Sequence, residues 1–477
     1  MALHFQDTII RCRWPLTPGA GQFRILVLHP QTTDGGGGQL HGSLVVANLK
    51  HEKGRFETLS YVWGSSTLPR TTILVDRTSL QITASLGSFL RYLRRNDRPL
   101  RLWADGICIN QDDDEEKSEQ VALMADIYKS CSQVNVWLPD PTHNVGTTPR
   151  NKSVSSLGGL CSLIAGDHFH DVPGYHGSER TGRLKFTETA EFGALWEGFM
   201  LLANSSWWTR AWTAQEAFLP PRVIFLHYAA DSCDIKVIDA SHERLWQHRD
   251  RLRSCCTEAI DLFPGEKMTQ LNKFYQAFAK VQHRREVLIG RRSTDGRDCF
   301  YNIVTSFSSR QCHDARDRIY SLWSMTPSFY KDCPLDYAIP EGVLFTSVFE
   351  CMLREAKYSR GHLNNFLGWG IDYRVLQWMN FGSDSTTANY RPSWVPDFSK
   401  SWSHEALHAH QGRIGFSKLY QPSGWSRGHV KVQGRQLHLK GFPMDKKGCQ
   451  MTSLQLGGQG LNIRDAFGRR NARGSRS

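Results

Sequence analysis

One short segment of the sequence has the spacing of a zinc site. Residues 404–408 read His-Glu-Ala-Leu-His, and on a helix this H-E-x-x-H pattern places two imidazoles on one face, with the Glu405 carboxylate as the base of a peptidase. No glutamate follows Glu405, so the downstream glutamate ligand of such enzymes is missing and a zinc peptidase remains only a remote alternative. His168, His170 and His176 could also bind a metal, but histidines in loops are usually solvated. No metal site is predicted.

Other sequence signatures of catalysis are absent. There is no Walker A segment, no Gly-x-Gly-x-x-Gly behind a strand and no Gly-x-Ser-x-Gly elbow. The 12 cysteines contain no C-x-x-C pair, so neither a zinc ribbon nor a disulfide framework is predicted. Modules that bind nucleic acid through spaced Cys/His ligands or stacked aromatic residues are not evident either, and no specific nucleic-acid partner is expected.

Strand and helix patterns alternate between residues 56 and 227. Apolar runs predict strands at residues 58–63, 72–75, 100–104, 133–138 and 222–227. Helical spacing predicts a helix over 86–93, and a second helix begins after Asp112 or Asp113, with Glu115 and Glu116 as further candidates for its cap. Residues 1–50 are predicted to be irregular. The alternation favours an α/β fold with a mainly parallel sheet flanked by helices.

Three blocks stand out in this region: LSYVWG at 59–64, LWADGICINQ at 102–111 and WWTRAWTAQE at 207–216. In type, order and spacing they resemble the fungal heterokaryon-incompatibility (HET) domain family. Segments at 314–320, 392–399 and 439–441 are similar to parts that follow HET domains, so that the resemblance covers most of residues 56–445. Gly106 is a departure, because the family more often has alanine at that position.

The resemblance implies a role in vegetative incompatibility, in which fungal cells that fuse with a genetically different partner die. HET domains are the effectors of that death. The resemblance also implies a fold related to TIR domains, which have a flavodoxin-like parallel sheet flanked by helices. The partners it implies are further copies of the chain, a separate nonself-sensor protein, or both.

Some TIR relatives cleave NAD with a glutamate on a helix that precedes a strand. Residues 212–216 (WTAQE) are similar in spacing and context, so the resemblance makes Glu216 the candidate catalytic residue, although Thr213 stands where that comparison has cysteine. Nicotinamide leaves as a neutral base, so one carboxylate could stabilise the oxocarbenium-like transition state. NAD would be a substrate, and no cofactor is predicted. The predicted substrate-binding residues, at the carboxyl ends of the strands, are Tyr61, Trp63, Gly64, Asp105, Asn110, Gln111, Trp212 and Gln215.

Each of these residues also has a structural interpretation. Glu216 could cap a helix or pair with Arg210. Asp105 and Asn110 could stabilise the turn from strand to helix, and the two aromatic residues of the first block could belong to the core. The corresponding alternative function is a non-catalytic signalling or assembly module.

The composition is that of a soluble globular protein, with 40% hydrophobic and 22% charged residues. The net charge of +12 is spread along the chain, which fits either solubility or attraction to nucleic acid or a phosphorylated nucleotide. No apolar run approaches the roughly 20 residues that span a bilayer. A cytoplasmic location without a membrane span is therefore expected.

Five parts of the chain are predicted. Residues 1–52 form an N-terminal segment, and 53–230 form the HET domain, with an insertion at 140–188. Residues 231–385 are predicted to be mostly helical. Residues 386–463 are predicted to be irregular with a small amount of β-structure, and the basic tail 464–477 is predicted to be disordered.

Overall fold

The computed structural model divides the chain into two compact units, residues 1–292 and 293–477. The residues it describes are 13–31, 38–64, 69–138, 157–177, 183–220, 223–250, 255–288, 300–307, 309–325, 333, 335–358, 395–399, 429–433, 436–441, 444–445, 448–449 and 452–456.

Unit 1 is built around one large sheet. Its strands are β1 (Gln22–Leu28), β2 (Leu40–Asn48), β3 (Glu57–Tyr61), β4 (Arg70–Val75), β5 (Thr78–Thr83), β6 (Leu100–Trp103), β7 (Gln133–Trp137), β8 (Tyr175–Gly177), β9 (Leu184–Phe186), β10 (Val223–Tyr228) and β11 (Asp231–Asp234). Nine of these strands form the sheet, in the order β11-β10-β7-β3-β6-β1-β2-β4-β5, while β8 and β9 form a separate hairpin.

The centre of the sheet is parallel. Strands β6, β3, β7 and β10 are neighbours that run in the same direction, so their carboxyl ends lie at one edge. Numbered along the chain, these four strands have the spatial order 2-1-3-4, which is part of the flavodoxin-like order of doubly wound sheets. The predicted α/β fold is thus confirmed. Antiparallel pairings on both flanks make the whole sheet mixed.

The first two strands correct the prediction of an irregular N-terminal segment. Strand β1 pairs antiparallel with β2 along its whole length and with β6 on its other side. Phe23, Arg24, Ile25 and Leu26 are all buried, so the strand is covered on both faces and shows no alternation of polar and apolar residues. The buried Arg24 interrupts the apolar run and hides this pattern in the sequence.

Helices cover the sheet and continue beyond it. In chain order they are α1 (Leu49–Glu52), α2 (Ala84–Leu93), α3 (Asp105–Cys108), α4 (Asp114–Ser130), α5 (Gly159–Ile164), α6 (Ala190–Ala203), α7 (Thr213–Phe218), α8 (Ile235–Asp250), α9 (Cys255–Leu262), α10 (Gly265–Leu288), α11 (Phe300–Phe307), α12 (Asp317–Tyr320) and α13 (Glu341–Tyr358). Short 3-10 helices occur at Phe169–Asp171, Ser206–Thr209 and Trp323–Met325.

Two predicted helices begin at side-chain caps. The Thr83 hydroxyl accepts a hydrogen bond from the Leu86 amide at the start of α2. The Asp113 carboxylate accepts from the amides of Glu115 and Glu116 at the start of α4, which confirms Asp113 as the N-cap. The capping interpretation of the Glu116 side chain is wrong, because its carboxylate bonds to the side chain of Arg24 and to the Asn110 amide.

The predicted insertion, residues 140–188, contains regular structure in its described part. Helix α5, one 3-10 turn and the β8–β9 hairpin lie there. Phe169 is fully buried, and its ring centroid is 5.5 Å from that of Phe263 in the loop after α9. Phe186 and Phe192 complete this aromatic cluster. Aromatic contacts therefore tie the described part of the insertion to unit 1.

A hydrogen-bond chain crosses strands β3, β7 and β10, and its two middle members, Asn135 and His227, are buried. The Asn135 amide donates to the Glu57 carboxylate over 2.8 Å, and its carbonyl oxygen accepts from His227 Nε2 over 3.1 Å. His227 Nδ1 then accepts from the Tyr92 hydroxyl over 3.3 Å. Burial lowers the pKa of His227 to about 4, so the imidazole is neutral in the folded protein.

This histidine should make stability depend on pH in a defined window. Between about pH 6.5 and pH 4 the unfolded chain binds a proton at His227 that the folded protein does not, so stability falls as pH is lowered. We expect the free energy of unfolding of His227→Gln to decrease by about 2 kcal/mol less than that of the wild type across this window. Urea unfolding at both ends of the window measures the difference. The control His176→Gln changes an exposed histidine and should keep the wild-type slope. An unchanged slope in His227→Gln would contradict the prediction.

The described residues of unit 2 form helices α11 to α13 and five short strands. The strands are β12 (His429–Gln433), β13 (Gln436–Gly441), β14 (Met444–Asp445), β15 (Gly448–Cys449) and β16 (Thr452–Leu456). Strand β13 pairs antiparallel with β12 and β16, and β14 pairs with β15. Among the described residues of both units, no helix has the length and apolar character needed to cross a membrane.

Candidate functional site

The three sequence blocks meet at the carboxyl edge of the parallel strands. From the first block, at the end of β3, the Ser60 hydroxyl donates a hydrogen bond to the Glu216 carboxylate of α7. Arg210 donates from its guanidinium to the carbonyl oxygen of Tyr61. From the second block, just after β6, the Asp105 carboxylate accepts from Trp63 Nε1 over 3.0 Å. Contacts between side chains thus join all three blocks.

The candidate catalytic residue Glu216 is buried. Only 3% of its surface is exposed, and one carboxylate oxygen accepts the Ser60 hydroxyl. The Ser60 oxygen in turn accepts from the indole N–H of Trp207 over 2.6 Å, and Trp207 is fully buried. The carboxylate is therefore held in place by a chain of buried polar groups in this conformation.

Asp105 occupies a different environment and is partly exposed. One carboxylate oxygen accepts from Trp63 Nε1 and the other accepts from the Gly106 amide over 2.8 Å. Desolvation raises the pKa of Asp105, while the charge of Arg210 and hydrogen bonds from Gly106 and Trp63 oppose that rise. This group of an acid, a cation and an indole could contact the ribose and phosphates of a nucleotide.

The Tyr61 ring fills the space beside Asp105. Its side chain is buried, and burial together with the Asp105 charge raises the tyrosine pKa well above its usual value. A Cβ atom placed on Gly106 would lie 2.5 Å from the Tyr61 hydroxyl oxygen. An alanine at position 106 would therefore require the Tyr61 ring to move.

The two carboxylates lie on either side of β3. Ser60 and Tyr61 are consecutive residues of an extended strand, so their side chains point to opposite faces of the sheet. Ser60 contacts Glu216, whereas Tyr61 lies beside Asp105.

The remaining predicted site residues have mixed surroundings. The Gln111 side chain donates to the Asp105 carbonyl over 3.1 Å, and the Asn110 side chain accepts from the Asp112 amide over 3.4 Å. These contacts support the interpretation that Asn110 stabilises a turn. Gly64 is exposed with φ of 78°, a left-handed conformation that favours glycine. Trp212 is half-buried at the start of α7, and Gln215 is buried.

Sequence reasoning missed the residue that holds the second block in place. Arg24 is 0% exposed and forms a bidentate ion pair with Glu116, with N–O distances of 2.6 and 2.9 Å. The same guanidinium donates to the carbonyl oxygens of Cys108 and Trp14, and Glu116 also accepts the Asn110 amide. These bonds fix the loop that begins with Asp105.

Three further contact residues lie inside the blocks but were given no ligand role. Ser60 belongs to the first block, and Trp207 and Arg210 belong to the third. Each of these side chains carries a polar atom within a mostly apolar segment. This indicates a hydrogen-bond partner, because a buried polar group needs one. The sequence alone could not show which partner each would have.

The structure offers no metal cluster within its described residues, where no group of three or more His, Cys, Asp and Glu side chains converges. His168 and His170 stack with centroids 4.9 Å apart, and the His176 ring contacts the Gly174 carbonyl oxygen. The His-Glu-Ala-Leu-His pattern at 404–408 lies outside the described residues.

Comparison with known proteins agrees with the position of the three blocks. The family model described as heterokaryon incompatibility protein (HET) matches residues 56–216. Over 256 residues the chain is 31% identical to heterokaryon incompatibility protein 6, OR allele, of Neurospora crassa, which covers 47% of this chain. The chain spans about a third (35%) of the length of that relative. No solved structure matches the chain significantly. Residues 56–216, in which the blocks converge, are thus the part of the chain that is similar to the HET family.

Proposed function

We propose that this chain is an effector of heterokaryon incompatibility, whose HET domain starts cell death after nonself recognition. The observation that carries the proposal is the assembly of the three HET blocks at one edge of the sheet. Ser60 and Glu216 bond across 156 residues of sequence, and Trp63 and Asp105 across 42. The similarity to the Neurospora crassa incompatibility protein supports the same role.

The proposed chemistry is hydrolysis of NAD or a related nucleotide by a core related to TIR domains. The 2-1-3-4 order of the parallel strands and the position of Glu216 one element before β10 support this relation. Trp63 offers an aromatic face, Asp105 a carboxylate for ribose hydroxyls and Arg210 a cation for phosphate. All three lie at the edge where doubly wound sheets bind ligands.

The burial of Glu216 adds a condition to this chemistry. With Glu216 only 3% exposed and its carboxylate hydrogen-bonded to Ser60, a substrate cannot reach the carboxylate in this conformation. The resting protein is therefore inactive, and the contact must open before a sugar can approach. Self-association or binding of a nonself-sensor protein supplies that change in the proposed mechanism.

A non-catalytic signalling module is the second candidate, and the same burial favours it. In that case Glu216 and Ser60 hold α7 against β3, and the assembled surface alone transmits the signal. Exposed residues of α4, including Glu115, Ala122 and Asp126, would then belong to the assembly surface.

The substitution Glu216→Gln separates the two candidates. In assembled protein incubated with NAD, we expect it to lower nicotinamide release about 10²–10³-fold, because a neutral amide cannot stabilise the developing positive charge. The measurement is nicotinamide produced per protein chain, with thermal unfolding to check that the variant folds. Glu191→Gln, on the exposed first turn of α6, is the matched control and should keep the wild-type rate.

Two results would contradict the catalytic proposal. One is that assembled wild-type protein releases no nicotinamide, and the other is an equal rate in wild type and Glu216→Gln. If Glu216→Gln still kills cells that express it while Ala122→Arg on α4 does not, the non-catalytic module is the better description.

A further inference from the structure

Several hydrogen bonds and one ion pair of unit 2 are made by one polar segment. Residues 314–320 read Asp-Ala-Arg-Asp-Arg-Ile-Tyr, and the HET-domain function proposed above gives them no role. The Arg316 guanidinium donates to the Asp314 carboxylate from Nε over 3.0 Å and from Nη2 over 2.7 Å. Its Nη1 donates to the carbonyl oxygens of Tyr337 and Ile339. The arginine therefore binds a loop that follows later in the chain.

Two further residues of the segment bind the same loop. The Tyr320 hydroxyl donates to the Asp336 carbonyl oxygen over 2.7 Å, and the Tyr337 hydroxyl donates to the Asp317 carboxylate over 2.6 Å. Hydrogen bonds with Arg316, Asp317 and Tyr320 thus fix residues 335–340, which immediately precede α13 at Glu341. We refer to residues 335–340 as the clamped loop.

The clamped loop lies between two cysteines that meet in space. Cys333 lies just before it, and Cys351 lies on α13. Their sulfur atoms are 3.0 Å apart, and their exposed fractions are 2% and 5%. A disulfide bond is about 2.05 Å long, so closing this pair requires a movement of only about 1 Å.

We propose that Cys333 and Cys351 are a redox modification site that forms a reversible disulfide within unit 2. The oxidant is a small peroxide. One thiolate attacks the peroxide O–O bond, becomes a sulfenic acid and releases hydroxide, which takes up the thiol proton to give water. The second thiol attacks the sulfenic sulfur, the S–S bond forms, and the hydroxyl leaves with the remaining proton as a second water. Two thiols and one hydrogen peroxide thus give one disulfide and two waters.

The arrangement explains why this pair would react rather than another. The hydrogen bonds of the clamped loop keep Cys333 beside α13, so the second step is intramolecular and fast compared with attack by an external thiol. Burial of both sulfur atoms limits access to large oxidants but admits a molecule as small as hydrogen peroxide. In a reducing environment the pair stays as two thiols, and it closes when peroxide rises.

The test is peptide mapping of the full-length protein before and after hydrogen peroxide. Alkylation in denaturant, which exposes both buried cysteines to the reagent, should modify both of them in reduced protein. After peroxide, both should be protected and found in one cross-linked peptide pair, and dithiothreitol should restore them. Because the bond closes a loop of 18 residues, oxidation should raise the melting temperature of unit 2 by roughly 5–10 °C.

Two variants make the outcome specific. Cys351→Ser should lose both the cross-link and the shift in melting temperature, and Cys351→Ala serves the same purpose if the serine variant folds poorly. Cys312→Ser is the matched control, because Cys312 is a half-buried cysteine of the same unit, and it should keep both effects. The proposal is overturned if peroxide leaves both thiols open to alkylation, or carries them to sulfinic acid without a cross-link. Neither result depends on the HET-domain activity.

Discussion

Replacing Arg24 by alanine is expected to lower the free energy of unfolding by about 3–5 kcal/mol, the usual cost of removing one partner of a buried ion pair. The guanidinium is 0% exposed and the Glu116 side chain is only 12% exposed. Alanine would leave that carboxylate without its cation, and the carbonyl oxygens of Trp14 and Cys108 without a donor. The measurement is urea unfolding of the full-length chain followed by tryptophan fluorescence.

Arg244→Ala is the matched control for this experiment. Arg244 also pairs with a carboxylate, over 2.7 Å, but its partner Asp167 is 88% exposed. A surface pair of this kind contributes about 0–1 kcal/mol. Equal losses of unfolding free energy in Arg24→Ala and Arg244→Ala would contradict the prediction that burial strengthens the effect of the Arg24 pair. In addition, the double variant Arg24→Met with Glu116→Met should be more stable than Arg24→Ala, because no charge is left buried.

The second large effect is expected at Trp207, where alanine should cost about 3–5 kcal/mol. The side chain is fully buried, stacks edge-on with Trp208 at 4.7 Å and donates its indole N–H to Ser60. Its loss leaves a large cavity and also removes the donor that orients the Ser60 hydroxyl towards Glu216. Thermal and urea unfolding measure the loss.

Two further variants divide this effect into its parts. Trp207→Phe keeps most of the ring volume and removes the N–H donor, so a loss of about 1–2 kcal/mol would report the hydrogen bond. Trp246→Ala is the control for removing an indole from the surface, since Trp246 is 49% exposed, and it should change stability little. A loss at Trp246 equal to that at Trp207 would contradict the prediction.

The central strands and two capped helices could be predicted because their signals are local. Apolar runs near Thr58, Leu100 and Gln133 became β3, β6 and β7, and helical spacing near Leu86 became α2. Strand β1 could not be predicted in the same way. A buried arginine in an apolar run reads as a surface residue until its partner is known, and Glu116 lies 92 positions later.

The candidate site was predictable in its location and not in its contacts. Block order and strand ends placed Trp63, Asp105 and Glu216 near one edge of the sheet, and the hydrogen bonds agree with that placement. Exposure is a property of tertiary packing, so the sequence could not show that Glu216 is buried while Asp105 is partly exposed. The role of Glu216 in a reaction therefore stays a prediction.

The neighbouring positions of Ser60 and Tyr61 in β3 have a mechanical meaning. Ser60 is hydrogen-bonded to Glu216 on one face of the sheet, and Tyr61 lies beside Asp105 on the other. Only one peptide bond separates these two residues. A movement of the Ser60 backbone therefore also moves Tyr61. A displacement of α7 on one face of the sheet would thus also displace Tyr61, whose side chain lies on the opposite face.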